Sequence, residues 1–515
     1  MKKLRVGITG LRRAGKTVFL TSLIHHLQKV PSKELKKTTK SWRPDAHYAR
    51  PDNDGLYTNE TIAVFPYEDC LNRMRGDSPQ WPDPTVEESK YRLNLELQLG
   101  ERGKAARSQH TVLEFLDYPG EMLHDVPIGH QSYEAWSEET LRRLNTEIGM
   151  KLDTFPDAIR TAYEEWEQVR QQWLHRNQDT DSAQNDPGKL AEELSRPYRK
   201  LCLALHETPT GPQRSPDAYR LVLAPVRPLL ARDSRTREDE WLFCPLSRDL
   251  REQCPPAVVK HMQRIYSDYA DTVVRPFVRR LTRCHKHVVL VDLFDILSGG
   301  PVRYNRVQED LNATLTAFLA LGQHHTGLRR LADKMARQAG RRKAVEQHHT
   351  GLRRLADKWR TRRPTEVLFC ATKADQARKD TRGNLETLLS GIVSKAVEGM
   401  ETRRLNPEYF FAAAVRSTMN AEYRPDGGDV IDVLKGAENN SNSSSDEIAS
   451  WCPSDIPKEW GTYLNSIWSD DGNSNSWRDY QFVSFKPTRV PSRNDVVIPN
   501  INLIKILNCL LEGYL

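Results

Sequence analysis

Long apolar runs are absent from this chain of 515 residues. No stretch approaches the ~20 residues needed to cross a bilayer, which excludes an ordinary helical membrane span. Cysteine is sparse and unpatterned, with eight residues scattered from Cys70 to Cys509 and no C-x-x-C pair. They read as reduced core or surface thiols, which excludes a zinc ribbon or a disulfide frame. A dominant charge is lacking too. The 76 Lys and Arg stand against 69 Asp and Glu, a net charge of +7 that selects no partner class and predicts no specific nucleic acid. No cleavable leader is expected, because "MKKLRVGITG" runs directly into the first strand; a cytoplasmic location follows. What remains is a polar chain, 38% hydrophobic and 28% charged, long enough for two or three folded units.

What is there begins at residues 7–27, "GITGLRRAGKTVFLTSLIHHL". Gly10, Gly15, Lys16 and Thr17 match G-x-x-x-x-G-K-[ST]. Glycines permit positive φ, so successive backbone N–H groups turn inward around a phosphate chain. The lysine brings a point charge to the β- and γ-phosphates, and the threonine hydroxyl takes one Mg²⁺ position. Leu4, Val6 and Ile8 alternate before the loop, as in a strand. Leu20, Leu23, Ile24 and Leu27 follow it at helical spacing. Strand, loop and helix are the context that makes this a phosphate-binding loop, with Gly10, Arg12, Arg13, Ala14, Gly15, Lys16, Thr17 and Val18 as its contact set. Arg13 stands two residues before Gly15, where it can lean over the γ-phosphate as a catalytic charge. The alternative is that Arg12 and Arg13 point to solvent.

Five more apolar runs read as strands: "YRLNLELQL", "HTVLEFLDYPGE", "HVVLVDLFDIL", "TEVLFCATKAD" and "EYFFAAAVRST". Near-continuous apolar runs fit strands buried on both faces of a parallel sheet. The expected fold is therefore α/β: a P-loop domain on a mainly parallel six-stranded sheet, with a large α-helical domain inserted at 125–285. Residues 1–124 and 286–425 form the two parts of the nucleotide-binding domain. A C-terminal region, 426–515, follows. It holds the low-complexity "GAENNSNSSSDE", a strand at "YQFVSFKP", and an amphipathic helix through Leu503, Ile506, Leu507 and Leu510. "QHHTGLRRLADK" occurs at 323–334 and again, identically, at 347–358. Leu328 to Arg363 carries 13 basic residues against three acids. A solvated helical duplication is the simpler reading, and a peripheral contact with anionic membrane lipid is the other.

Two strand ends point to the ligand. "DYPG", Asp117 to Gly120, closes the third strand; such an aspartate meets Mg²⁺, usually through water, and the glycine N–H meets a γ-phosphate. "TKAD", Thr372 to Asp375, closes the fifth. A carboxylate at Asp375 accepts both N1–H and the 2-amino hydrogens of guanine, a donor pair that adenine lacks. The Lys373 stem packs along the base, and backbone N–H groups at Ala414 and Val415 reach guanine O6. Ordered together, these pieces resemble the G-domain of Ras-like GTPases.

That resemblance implies a threonine closing over Mg²⁺ before the second strand. Thr85 stands there, or is a plain turn residue. It also implies a water-orienting residue after "DYPG". Here Glu121 replaces the usual glutamine, and its charge beside a triphosphate predicts slow hydrolysis without a protein activator. The ordered motifs, the helical insertion and the ending "NLIKILNCLLEGYL" resemble the YcjX-like family of bacterial P-loop proteins. The resemblance implies a switch that binds GTP and GDP with Mg²⁺, linked to bacterial stress or envelope response through an effector. An ATPase and a non-hydrolysing GTP-binding scaffold are the alternatives.

Overall fold

The structure is a computed structural model. It describes residues 2–10, 14–29, 40–46, 62–83, 88–99, 107–118, 120–129, 131–175, 186–207, 242–301, 303–305, 307, 308, 311, 312, 315, 365–396, 405–424, 429–439, 448–467, 480–490 and 497–512. The chain opens with β1 (Lys2–Gly10), α1 (Lys16–Lys29), β2 (Lys40–Ala46), β3 (Ala63–Val64), α2 (Tyr67–Arg75), β4 (Ser89–Leu99) and β5 (Arg107–Asp117). A long helical series follows, then β6 (Lys286–Val291), β7 (Thr365–Ala371) and β8 (Leu405–Phe411).

These strands form an eight-stranded sheet in the order β2-β4-β5-β1-β6-β7-β8, with β3 paired to β4. The expected count of six is thus corrected to eight. The six strands read from the sequence are all in this sheet, and β2 and β3 add to its β4 side. Neither carries the apolar alternation that marks a strand: β2 is "KSWRPDA" and β3 only two residues long. β1, β5, β6, β7 and β8 run parallel, while β4 is antiparallel to β5 and β2 to β4. β1 lies between β5 and β6, where the chain order reverses. Crevices for ligands open at such a reversal, outside the carboxyl ends of the strands.

Alternate residues of the central strands feed two cores, as the two-residue period of a strand requires. Val6, Ile8, Val288, Leu290, Leu368 and Cys370 pack with α1, α2 and the terminal helix. Val289, Val291, Val367 and Phe369 face the other way. There they meet α9 (Asn384–Ala396), Trp460 and Tyr463 of α10 (Trp460–Ile467), and the helices between β5 and β6. Those are α3 (Tyr133–Arg143), α4 (Asp157–Leu174), α5 (Pro187–Glu207), α6 (Arg248–Gln253), α7 (Pro256–Tyr269) and α8 (Arg275–Leu281). Every described element between β5 and β6 is helical. One buried cluster runs from Trp136 and Trp166 through Phe277 to the sheet, so these helices share a core with it.

Two segments depart from expectation. "HVVLVDLFDIL" is a strand only to Val291. Asp292 Oδ1 accepts the N–H of Phe294 and Asp295, and this cap turns the following apolar residues into a helix. "YQFVSFKP" contributes a single bridge, Phe485 to Glu438, rather than a strand. It lies against a three-stranded antiparallel sheet that the sequence reading does not foresee: β9 (Met419–Tyr423), β10 (Ile431–Ala437) and β11 (Ile448–Trp451). The terminal helix, α11 (Leu503–Leu511), buries Leu503, Ile506, Leu507 and Leu510, as its periodicity requires. Its carboxyl end is held by Lys286, whose buried ammonium donates to Cys509 O at 2.7 Å and Glu512 O at 3.1 Å. The duplicated basic segment lies outside the described residues. No helix among those described is long and apolar enough to cross a membrane.

Candidate functional site

The end expected to hold phosphate starts where β1 meets β6. Gly10 pairs with Leu290, and a Cβ at Gly10 would stand 2.7 Å from Leu290 O and 2.8 Å from its Cβ. Only glycine fits there. Gly15 has the opposite need: its surroundings are open, but its φ is +80°, in the left-handed region. Its carbonyl accepts the first helical bond, from Phe19 N–H at 2.8 Å. Ala14 is buried between the two glycines. Lys16 is buried as well, its ammonium folded back to 3.5 Å from Gly10 O across the loop. Thr17 follows at the start of α1, where its hydroxyl donates to Asp83 O at 3.4 Å. Val18 is half-buried on the α1 core. Arg12 and Arg13 lie outside the described residues.

Asp117 ends β5 directly beside Ile8 of β1 and Ser89 of β4, and is 1% exposed. Gly120 and Glu121 open a 3-10 stretch, Gly120–Gly129; the Glu121 side chain and Thr85 lie outside the described residues. Thr17, at the start of α1, and Asp117, at the end of β5, are hard oxygen donors of the type suited to Mg²⁺. The fit rests on ligand type and on the pairing of β1 with β5.

The end expected to read the base lies two strands along. Thr372 N–H donates to Val291 O at 2.9 Å, carrying β7 one residue past its neighbour. Lys373 has φ 59°, one of two non-glycine residues with positive φ among those described. Its ammonium sits 2.5 Å from Asp292 Oδ2. This sharp turn swings Asp375 back beneath the end of β8, where it is 4% exposed. Asp375 Oδ2 accepts the Ser417 N–H at 2.7 Å, and its carbonyl accepts the Thr418 hydroxyl at 2.5 Å. Burial pushes the Asp375 carboxyl above the usual carboxylate range, with the Ser417 N–H pulling the other way.

The loop after β8 is strapped from outside. Ala413 N–H donates to Ile501 O, and Arg416 N–H to Pro499 O at 2.7 Å. Ala414 and Val415 stand in sequence between these two bonded residues. Asn502 fastens the same strand end by donating to Phe411 O, and Asn500 donates to His26 Nε2 on α1 at 2.9 Å. Ser417, Thr418, Asp292, Asn500 and Asn502 were not singled out from sequence. "RST" and "NIN" are short polar runs without a motif, and nothing local announces their partners.

The site thus brings Gly10, Ala14, Gly15, Lys16, Thr17, Val18 and Asp117 together at one end. Thr372, Lys373, Asp375, Ala414 and Val415 gather at the other, along one row of carboxyl strand ends. Fold and site together define an α/β protein consistent with a P-loop G-domain. The YcjX-like family, DUF463, matches residues 4–515, and the chain belongs to it. It is similar to the "Ras-like GTPase YcjX" of Escherichia coli K12, at 24% identity over 99% of this chain and 95% of that protein. It is similar too to the protein of the same name from Shewanella oneidensis, at 22% identity over 94% of this chain and 89% of the relative.

Proposed function

We propose that this protein binds GTP and GDP with Mg²⁺ and hydrolyses GTP slowly, as a nucleotide-dependent switch. The carrying observation is Asp375: a buried carboxylate fixed by Ser417, at the end of β7, two strands from the Gly10–Thr17 loop. The names of both relatives support the reading. In it, residues 1–124 and 286–425 form the nucleotide-binding unit, 125–285 the helical insertion and 426–515 the C-terminal region. Gly10, Arg12, Arg13, Ala14, Gly15 and Val18 wrap the phosphates, and Lys16 holds their charge. Thr17, Thr85 and Asp117 hold Mg²⁺, which neutralises charge on the phosphate oxygens when bound. Gly120 meets the γ-phosphate. Thr372, Lys373 and Asp375 read guanine, with the amides of Ala414 and Val415 at O6. Glu121 places water poorly, because its charge repels the triphosphate, and an activator protein relieves that repulsion, with Arg13 supplying charge in cis.

Calorimetry on the full chain tests the reading. GDP binding at least about tenfold tighter than ADP is expected, with Lys16→Ala weakening both. Equal affinity for the two purines overturns it. Phosphate release above about 1 s⁻¹ without a partner, well beyond unassisted switch GTPases, overturns the slow-hydrolysis part.

A further inference from the structure

One helical rod touches the chain just past the end of β5, at Tyr118, and just before the start of β4, at Glu88. It consists of α7, a π-helical turn at Ala270–Val274, and α8, and runs unbroken from Pro256 to Leu281. Along 120–129, Tyr269 donates to the buried Asp125 carboxylate at 2.5 Å, and Tyr266 donates to Gln131 O at 3.3 Å just beyond. Arg275 Nε donates to Gly129 O at 3.4 Å. Two residues on, Phe277 packs edge-on against Tyr118, the residue after Asp117, with centroids 5.1 Å apart. Arg280, three residues further and on the same face, grips Glu88 with both arms of its guanidinium, at 2.7 and 2.5 Å.

Glu88 immediately precedes Ser89, the β4 residue paired with Asp117. Arg280 and Glu88 are 9% and 10% exposed, a buried bidentate pair across 192 positions of sequence. Such a pair is weak grounds for stability but strongly fixes geometry, because removing one partner strands the other charge. Single π-turns inside helices are frequent at functional sites.

We infer that Arg280 is a positioning residue for the metal side of the nucleotide site, holding Glu88 and the start of β4 against the end of β5. The rod is then the element through which the helical region and the nucleotide site bias one another. The inference rests on the nucleotide reading above, and linkage makes the bias reciprocal.

The test uses the full chain and a fluorescent GDP analogue, with Arg280→Ala, Glu88→Ala, Arg280→Lys and the charge swap Arg280→Glu/Glu88→Arg. Both alanine variants should speed release at saturating Mg²⁺ about tenfold, with release in EDTA and the preference for guanine unchanged. The swap should recover most of the slow release, and Arg280→Lys, with charge but no fork, should fall between. Amide hydrogen exchange on the nucleotide-free chain should show protection lost at 88–93 and 117–129 but kept at 365–375. Release within about twofold of wild type in both alanine variants, a swap as fast as they are, or protection lost across the whole sheet overturns the inference. Should an alanine variant not fold, the lysine variant and the swap decide by the same criteria. A wild-type chain whose release ignores Mg²⁺ overturns the metal part of the nucleotide reading instead, and the exchange pattern then decides alone whether Arg280 positions β4.

Discussion

At the end proposed to hold phosphate, β1, the loop and α1 supply Gly10, Gly15, Lys16 and Thr17 from one contiguous stretch, with Asp117 at the end of the neighbouring strand. At the end proposed to read the base, Asp375 is held by Ser417 and Thr418, and their loop in turn by Pro499 and Ile501. The first end is a local object, whose backbone needs are met by glycines a few residues apart. The second is assembled from three segments separated by 42 positions and more, so its geometry depends on the C-terminal strap. His26 joins the two, because the α1 helix meets the strap at Asn500.

Gly10→Val breaks the local end and carries the largest effect. With Leu290 O at 2.7 Å from the new Cβ, β1 and β6 must separate, at a cost of about 1–3 kcal/mol. Loss of nucleotide affinity beyond about 100-fold is expected from the displaced loop. Calorimetry with GDP measures it, and near-normal affinity would show that the close approach does not shape the loop.

Asp375→Asn breaks the assembled end while sparing the local one. GDP affinity should fall by two orders of magnitude or so, and that for xanthosine diphosphate should rise. Lys16→Ala should weaken both purines alike. A parallel fall for the two ligands in Asp375→Asn would remove Asp375 from base recognition.

Acid tests the joint. Burial lowers the His26 pKa from 6.5 to about 4, with the Ser22 carbonyl opposing. Between these values the unfolded chain binds a proton that the folded chain refuses. Stability therefore falls as pH drops from 6.5 toward 4, by up to about 3 kcal/mol from this group. Burial also disfavours the charged form of Glu114, but its Arg92 hydrogen bond and the charges of Lys3 and Arg5 prevail, leaving it below 4.5. Its contribution is present above that value and is lost as pH falls further. Burial lowers His287 as well, to about 3, with the same sign, so urea midpoints of wild type and His26→Gln are compared between pH 7 and 4; equal slopes contradict the buried neutral His26 imidazole.

Thr418→Val removes one hydrogen bond at the assembled end and should cost about 1 kcal/mol, lowering guanine affinity several-fold with Thr418→Ser close to wild type. An unchanged affinity in the valine variant would relieve Thr418 of any part in holding Asp375. Lys373→Gly has the smallest expected effect. Glycine relieves about 1–2 kcal/mol of left-handed strain while losing the Asp292 pair and gaining chain entropy when unfolded, so the thermal midpoint should hardly move. A large drop would mean that the Lys373–Asp292 pair carries the turn.

The six main strands were legible from two patterns: alternation in β1 and β4, and apolar runs such as "HVVLV" and "TEVLFCA", which in β6 and β7 go with burial on both faces. β2 and β3 were not, since their residues are polar or few and their pairing depends on β4. The small sheet β9–β11 was hidden for a different reason: its strands are short, and Met419, Tyr423, Ile431 and Ile448 are exposed, so apolar residues there report no core. "YQFVSFKP" has strand composition but finds just one bridging partner.

The sequence by itself determined the loop, the strand that feeds it, the helix that follows and the terminal helix. These depend on glycine conformation and on periodicities spanning fewer than about ten residues. Only the tertiary structure decided that Ser417 and Thr418 hold Asp375, that Asn500 ties the strap to His26, and that Arg280 holds Glu88. Each is a hydrogen bond or ion pair between residues far apart in sequence, and such a partner exists only once the sheet has brought the two segments together.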